Sequence, residues 1–81
     1  MGRLWTLSGR EVVAIFAGFG FAVAGQKGSH AKLRRIGTDG RRQTLIVPLH
    51  AEMDEGTLRG LLAQGCRFVP AEELWPRFYA E

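Results

Sequence analysis

Apolar residues recur along this chain with two periods, and the switches between them mark out its elements. Val12, Ile15, Phe16 and Phe19 stand at i, i+3, i+4 and i+7, one face of an α-helix. Ser8-Gly9-Arg10-Glu11 precedes them as a capping box: the Ser8 hydroxyl can accept from the Glu11 N–H, and the Glu11 carboxylate can reach back. Such a cap is worth ~1 kcal/mol. Gly18 or Gly20 ends this helix, because glycine takes a left-handed backbone without steric cost. Trp5 or Leu7, in a short lead from Met1 to Leu7, is placed to pack beside it.

From Phe21 the period falls to two. A first strand is predicted over Phe21–Gln26, with Phe21 and Val23 inward, and Lys27-Gly28-Ser29 turns the chain. A second strand over His30–Ile36 puts Ala31 and Leu33 on one face and His30, Lys32 and Arg34 on the other. Gly37-Thr38-Asp39-Gly40 is a hairpin signal. The third strand runs from Arg41-Arg42 to about Pro48, with Leu45, Val47 and Leu49 inward and Arg42, Thr44, Ile46 and Pro48 outward. Pro48 has no N–H for a ladder and so marks a strand end or an edge.

The helical period then returns. After a loop over His50–Glu55, Gly56-Thr57 opens a second helix with Thr57 as N-cap, Leu58, Leu61 and Leu62 as its stripe, and Gly65 as its stop. Pro70 suits the first turn of a last helix in which Ala71, Leu74, Trp75 and Phe78 share a face, kept short or kinked by Pro76. The order helix, three strands, helix, short helix predicts an α+β fold. Its three-stranded antiparallel sheet carries the helices on one face and leaves the other open.

Composition narrows the class. The 81 residues fit a single domain, 1–81, with a thin core. A net charge of +3 and a pI near 9.8 fit a polyanionic partner without proving one. The one cysteine, Cys66, closes a helical apolar face and reads as a small core residue; it excludes an internal disulfide and fits a reducing cytosol, hence a cytoplasmic protein. Val12 to Gly25 is apolar, but it is shorter than a membrane span and interrupted by Gly18 and Gly20. There is no P-loop, no GxGxxG before a helix and no GxSxG. Glu52, Asp54 and Glu55 beside His50 read as acids at a helix entrance, where the dipole favours them, and not as metal ligands. Neither a metal nor a cofactor is expected.

The candidate chemistry lies in Gln26-Lys27-Gly28-Ser29-His30 and the cations that follow. An imidazole exchanges protons near neutral pH. Cations beside it can hold a phosphate and stabilise the charge that builds on it during reaction. Gly28 lets a backbone come close, N–H groups of the turn can meet phosphate oxygens, and Ser29 can orient the imidazole or the substrate. The competing reading makes His30 an ordinary exposed strand residue. His50 has two roles open to it: RNA contact or action with His30, and the preferred one, fixing the strand-to-helix loop. Lys27, Lys32, Arg34, Arg35, Arg41 and Arg42 crowd a stretch from Gly18 to Ala51 whose only acid is Asp39. That asymmetry points to a basic sheet surface for a phosphate backbone, with no aromatics among the cations to stack bases.

Three motifs in order resemble the HicA (YcfA-like) toxins of HicAB toxin–antitoxin systems. They are Gly28-Ser29-His30 after the first strand, Val47-Pro48-Leu49-His50 closing the third, and Gly56-Thr57-Leu58-Arg59-Gly60-Leu61-Leu62 opening a helix. The resemblance covers roughly Ser8 to Cys66. It implies a double-stranded-RNA-binding-domain-like fold, α-β-β-β-α, and a type II toxin that cleaves mRNA; acid–base chemistry by one histidine needs no metal. Its one catalytic histidine is here His30, and its partner is a HicB-like antitoxin that covers the active face. Trp5, the Phe16-Phe19-Phe21 cluster and Val69 depart from the family pattern. The RNA-contacting set expected on this basis is Lys27, Gly28, Ser29, Lys32, Arg34 and Arg42. A non-catalytic RNA-binding module is the alternative, and a pure protein-interaction domain a third reading.

Overall fold

The computed structural model describes residues 2–80; Met1, the head of the predicted lead, and Glu81 lie outside them. The order is β1 (Arg3–Leu4), α1 (Gly9–Ala17), β2 (Ala22–Lys27), β3 (His30–Ile36), β4 (Arg42–Pro48), α2 (Glu55–Gly65), α3 (Ala71–Phe78) and β5 (Tyr79–Ala80). This is the expected α+β architecture. Strands β2-β3-β4 form an antiparallel sheet, and the three helices share a core with one of its faces. Among the described residues no helix is long and apolar enough to cross a membrane.

The capping box starts α1 as its sequence requires. The Ser8 hydroxyl accepts from the Glu11 N–H at 3.1 Å, and the Ser8 N–H donates to the Glu11 carboxylate at 2.9 Å. Val12 and Phe16 are fully buried, while Ile15 and Phe19 pack partly against the core. Burial of a phenylalanine contributes about 1.5–3 kcal/mol. Gly9 lies against the chain leaving β4: its N–H donates to the His50 carbonyl at 2.8 Å, and a Cβ there would stand 2.6 Å from the Leu49 Cα. Both predicted glycines end the helix. Gly18 is the C-cap, still right-handed, and Gly20, at φ +94°, swings the chain into β2. Leu7 is buried; Trp5 is 46% exposed.

In the sheet, Ala31 pairs with Val47 and Leu33 with Leu45, so the inward set of β3 meets that of β4. Strand β2 departs from expectation. Its register shifts between Val23 and Gly25, which leaves Ala24 as the extra residue of a bulge. Val23 pairs with Leu33 and so shares its face, yet it is 55% exposed, because all of β2 runs along the rim beyond the helical cover. Phe21, just before the strand, is the buried anchor instead.

Asp54, and not Thr57, is the N-cap of α2: its carboxylate accepts from the Thr57 N–H at 2.7 Å. Hydrogen bonds from the Thr57 backbone and then its side chain hold the Asp54 carboxyl below the ordinary value, and the nearby His50 pulls the same way. Glu55 pairs with Arg59 at 3.6 Å, so these acids serve the helix entrance. Gly65 ends α2 inside the core, where a Cβ would lie 2.6 Å from Leu74 and 2.7 Å from Phe16. Cys66, expected inside, is half-buried at the core margin. Pro70 is the N-cap of α3, one step outside its first turn. The helix is short, as Pro76 implies, but only Leu74 and Phe78 of the expected face are buried; Ala71 and Trp75 are exposed. The lead contributes β1, which pairs with β5 through Arg3↔Ala80 and Leu4↔Tyr79.

A candidate nucleic-acid interface on the open sheet face

Alternation along β3 sends Ala31 and Leu33 into the core and leaves His30 and Lys32 exposed on the opposite face, with Arg34 half-buried beside them. The turn before β3 adds Lys27. Lys27 and His30 are cross-strand partners around Gly28-Ser29, so their side chains share the open face. Gly28 has φ +57°, and among the described residues no non-glycine has positive φ, so Ser29 does not, the pattern of a two-residue turn with glycine at its first central position. The turn is fastened on both sides. Gln26 Nε2 donates to the Gly28 carbonyl at 3.0 Å, and the Leu49 N–H donates to the Ser29 carbonyl, extending the ladder to β4. A rigid hairpin therefore presents the imidazole, with Pro48 as its other lateral neighbour.

Lys27, His30, Lys32 and Arg34 line one recess of about 460 Å³. Ala24 and Gly25 bound it on the β2 side and Ile46 on the β4 side. Among the described residues the ion pairs are Arg41–Asp39 and Arg59–Glu55, so no carboxylate neutralises the recess cations. The Arg34 Nε is buried without a hydrogen-bond partner. Such a site attracts anions: low-dielectric walls with one sign of charge concentrate the field.

Not every predicted residue joins this recess. Gly28 and Ser29 shape the turn, and the Ser29 hydroxyl makes no hydrogen bond to the His30 ring. Arg42 pairs with Ile36 on the same open face, but six positions along β3 from His30, about 20 Å at the strand rise. His50 stays by the α2 entrance, beside Asp54, with its carbonyl bonded to Gly9. Arg35 leaves the cation set altogether. It donates to Gln43 Oε1 at 2.7 Å, to the Phe19 carbonyl at 2.8 Å and to the Phe68 carbonyl at 2.9 Å, and its guanidinium lies 4.8 Å from the Phe21 ring centroid. Strand alternation carried that signal, since Arg35 is two residues beyond Leu33. Sequence reasoning missed Ala24, Gly25 and Ile46 as walls of the recess. An isolated glycine inside a strand was the available sign of a bulge or close approach at Gly25.

A family model described as HicA toxin of bacterial toxin-antitoxin matches residues 9–65. That span runs from the start of α1 to the end of α2 and includes the whole recess. Comparisons with curated proteins and with solved structures give no match. The motifs, the strand order and a match over most of the chain agree: the protein belongs to the HicA toxin family of bacterial toxin–antitoxin systems.

Proposed function

We propose that this chain is the RNA-cleaving toxin of a toxin–antitoxin pair, with His30 as the proton-transfer residue. The observation that carries the reading is one imidazole, open to solvent on a braced hairpin, sharing a recess with Lys27, Lys32 and Arg34 and with no carboxylate. His30 takes the proton of a ribose 2′-OH as that oxygen bonds to the adjacent phosphorus. The bond from phosphorus to the 5′-oxygen breaks, leaving a 2′,3′-cyclic phosphate on one fragment. Water supplies the proton for the departing 5′-oxygen. The three cations hold the non-bridging oxygens and stabilise their growing charge. Gly28 and Ser29 offer turn N–H groups to the same phosphate, Arg42 receives the strand further along, and a HicB-like antitoxin silences the protein by covering this face in the cytosol.

A non-catalytic RNA-binding role has one observation in its favour: among the described residues, the recess holds no second imidazole or carboxylate to act as partner acid. The two readings part in one experiment. Purified protein is incubated with single-stranded RNA in excess chelator, beside its His30→Ala variant. The nuclease reading expects fragments ending in a cyclic phosphate, a loss of about 10²–10⁴-fold in the variant, and an unchanged circular dichroism spectrum. Binding of uncut RNA should weaken with salt with a log–log slope of about −2 for three phosphate contacts. Equal cutting by the variant overturns the role of His30. Uncut RNA with that salt dependence establishes the binding module.

A further inference from the structure

On the helical side of the molecule, across the core from the open sheet face, Trp5 and α3 enclose a second recess of about 590 Å³. Its wall is Glu72, Trp75 and Pro76 of α3, spaced i, i+3 and i+4 on the side away from buried Leu74 and Phe78, with Tyr79 of β5 beyond them. Both indoles are unusually open, Trp5 at 46% and Trp75 at 43%. Trp75 stacks on Tyr79 with ring centroids 5.0 Å apart and planes at 22°, and the Trp5 backbone is tied down: its amide N–H donates to the Phe78 carbonyl at 2.8 Å, beside the β1–β5 pairing. Glu72, one turn before Trp75, makes no ion pair among the described residues. Trp5 and α3 both lie outside residues 9–65, so this recess is built from segments beyond the matched span.

We propose that this recess receives an arginine side chain of a partner protein. Indole faces attract cations through their quadrupole, and a guanidinium stacks on them as a plane. The Glu72 carboxylate, which lines the same recess, accepts two parallel N–H bonds from the guanidinium fork. Aromatic faces and a carboxylate together favour a planar cation over an apolar side chain, which would leave the carboxylate unpaired. Because the Trp75 ring is already stacked on Tyr79 and the Trp5 backbone is held beside the β1–β5 ribbon, part of the ordering is done before binding. The site is separate from the proposed RNA surface, and its test does not depend on RNA cleavage.

The chain has two tryptophans and both line this recess, so intrinsic fluorescence reads it directly. The full-length protein is titrated with N-acetyl-arginine amide and with N-acetyl-citrulline amide, which has the same shape without the charge. A saturable response to the arginine compound, with at least about tenfold weaker binding of the citrulline compound, is expected. Glu72→Gln keeps both indoles and should weaken the arginine compound about threefold to tenfold, whereas His30→Ala should bind it like the parent. Equal responses to the two compounds, a response that does not saturate, or an unaltered titration in Glu72→Gln overturns the assignment.

Discussion

Replacing Arg35 with lysine should cost more stability than any other single exchange of one cation for another in this protein. The guanidinium ties three segments that are distant in sequence: the exit of α1 at Phe19, the α2–α3 link at Phe68, and β4 at Gln43. A lysine keeps the charge but offers one point of attachment where the arginine fork reaches three acceptors. Two hydrogen bonds to a charged donor are lost, each worth about 1.5–3 kcal/mol, and the half-buried setting argues for the lower part of that range. The expected loss is about 3–4 kcal/mol. A chain of this length has a total stability of roughly 4–12 kcal/mol, so the loss is a large share. In urea, with m about 1 kcal/mol/M, the unfolding midpoint followed by tryptophan fluorescence should fall by about 3–4 M with m unchanged. Arg34→Lys, one residue away but on the open face, should stay within about 0.5 kcal/mol of the parent. An Arg35→Lys midpoint within about 0.5 M of the parent would refute the reasoning.

Gly65→Ala places a methyl between Phe16 and Leu74, and calorimetry should show a loss of about 1–3 kcal/mol with the fold retained. Gly28→Ala meets no neighbouring atom, so its cost is the left-handed backbone alone, about 1–2 kcal/mol in denaturant unfolding. Asp54→Ala should lower the unfolding midpoint at neutral pH. The folded carboxyl lies below its ordinary value, so its stabilisation is fully present above the unfolded pKa and is lost as pH falls through the folded one. The gap between parent and variant should therefore close in acid, and a gap that widens there would contradict the cap.

Much of this arrangement could be read from residue order, and the failures have identifiable causes. The two-residue period of β3 and β4 assigned both faces correctly because the strands are regular and one face is buried. In β2 the same rule gave the direction of Val23 but not its exposure: the bulge at Ala24 and the position at the rim are settled by packing. The capping box of α1 was visible because both partners lie within four residues. At α2 two hydroxyl or carboxylate residues competed for the cap, and Asp54 won by geometry that composition does not encode. Strands β1 and β5 have two residues each, too few for any period to show. Arg35 was grouped with its neighbours by charge, when its place in the alternation already separated it from them. Alternation put His30, Lys32 and Arg34 on one face, where Lys27 of the turn joins them, but the recess they line depends on walls that alternation does not show.

The irregularity at Ala24 bears on how such a protein survives in a crowded cell. A bare sheet with an unpaired outer strand invites a second chain to add on and polymerise. The extra residue breaks the even spacing of donors and acceptors along that border, so an incoming strand would lose register partway. At the opposite border Pro48, whose neighbour in sequence Leu49 bonds inward to Ser29, offers no N–H outward. The molecule can thus leave a whole sheet surface uncovered without becoming a seed for its own aggregation.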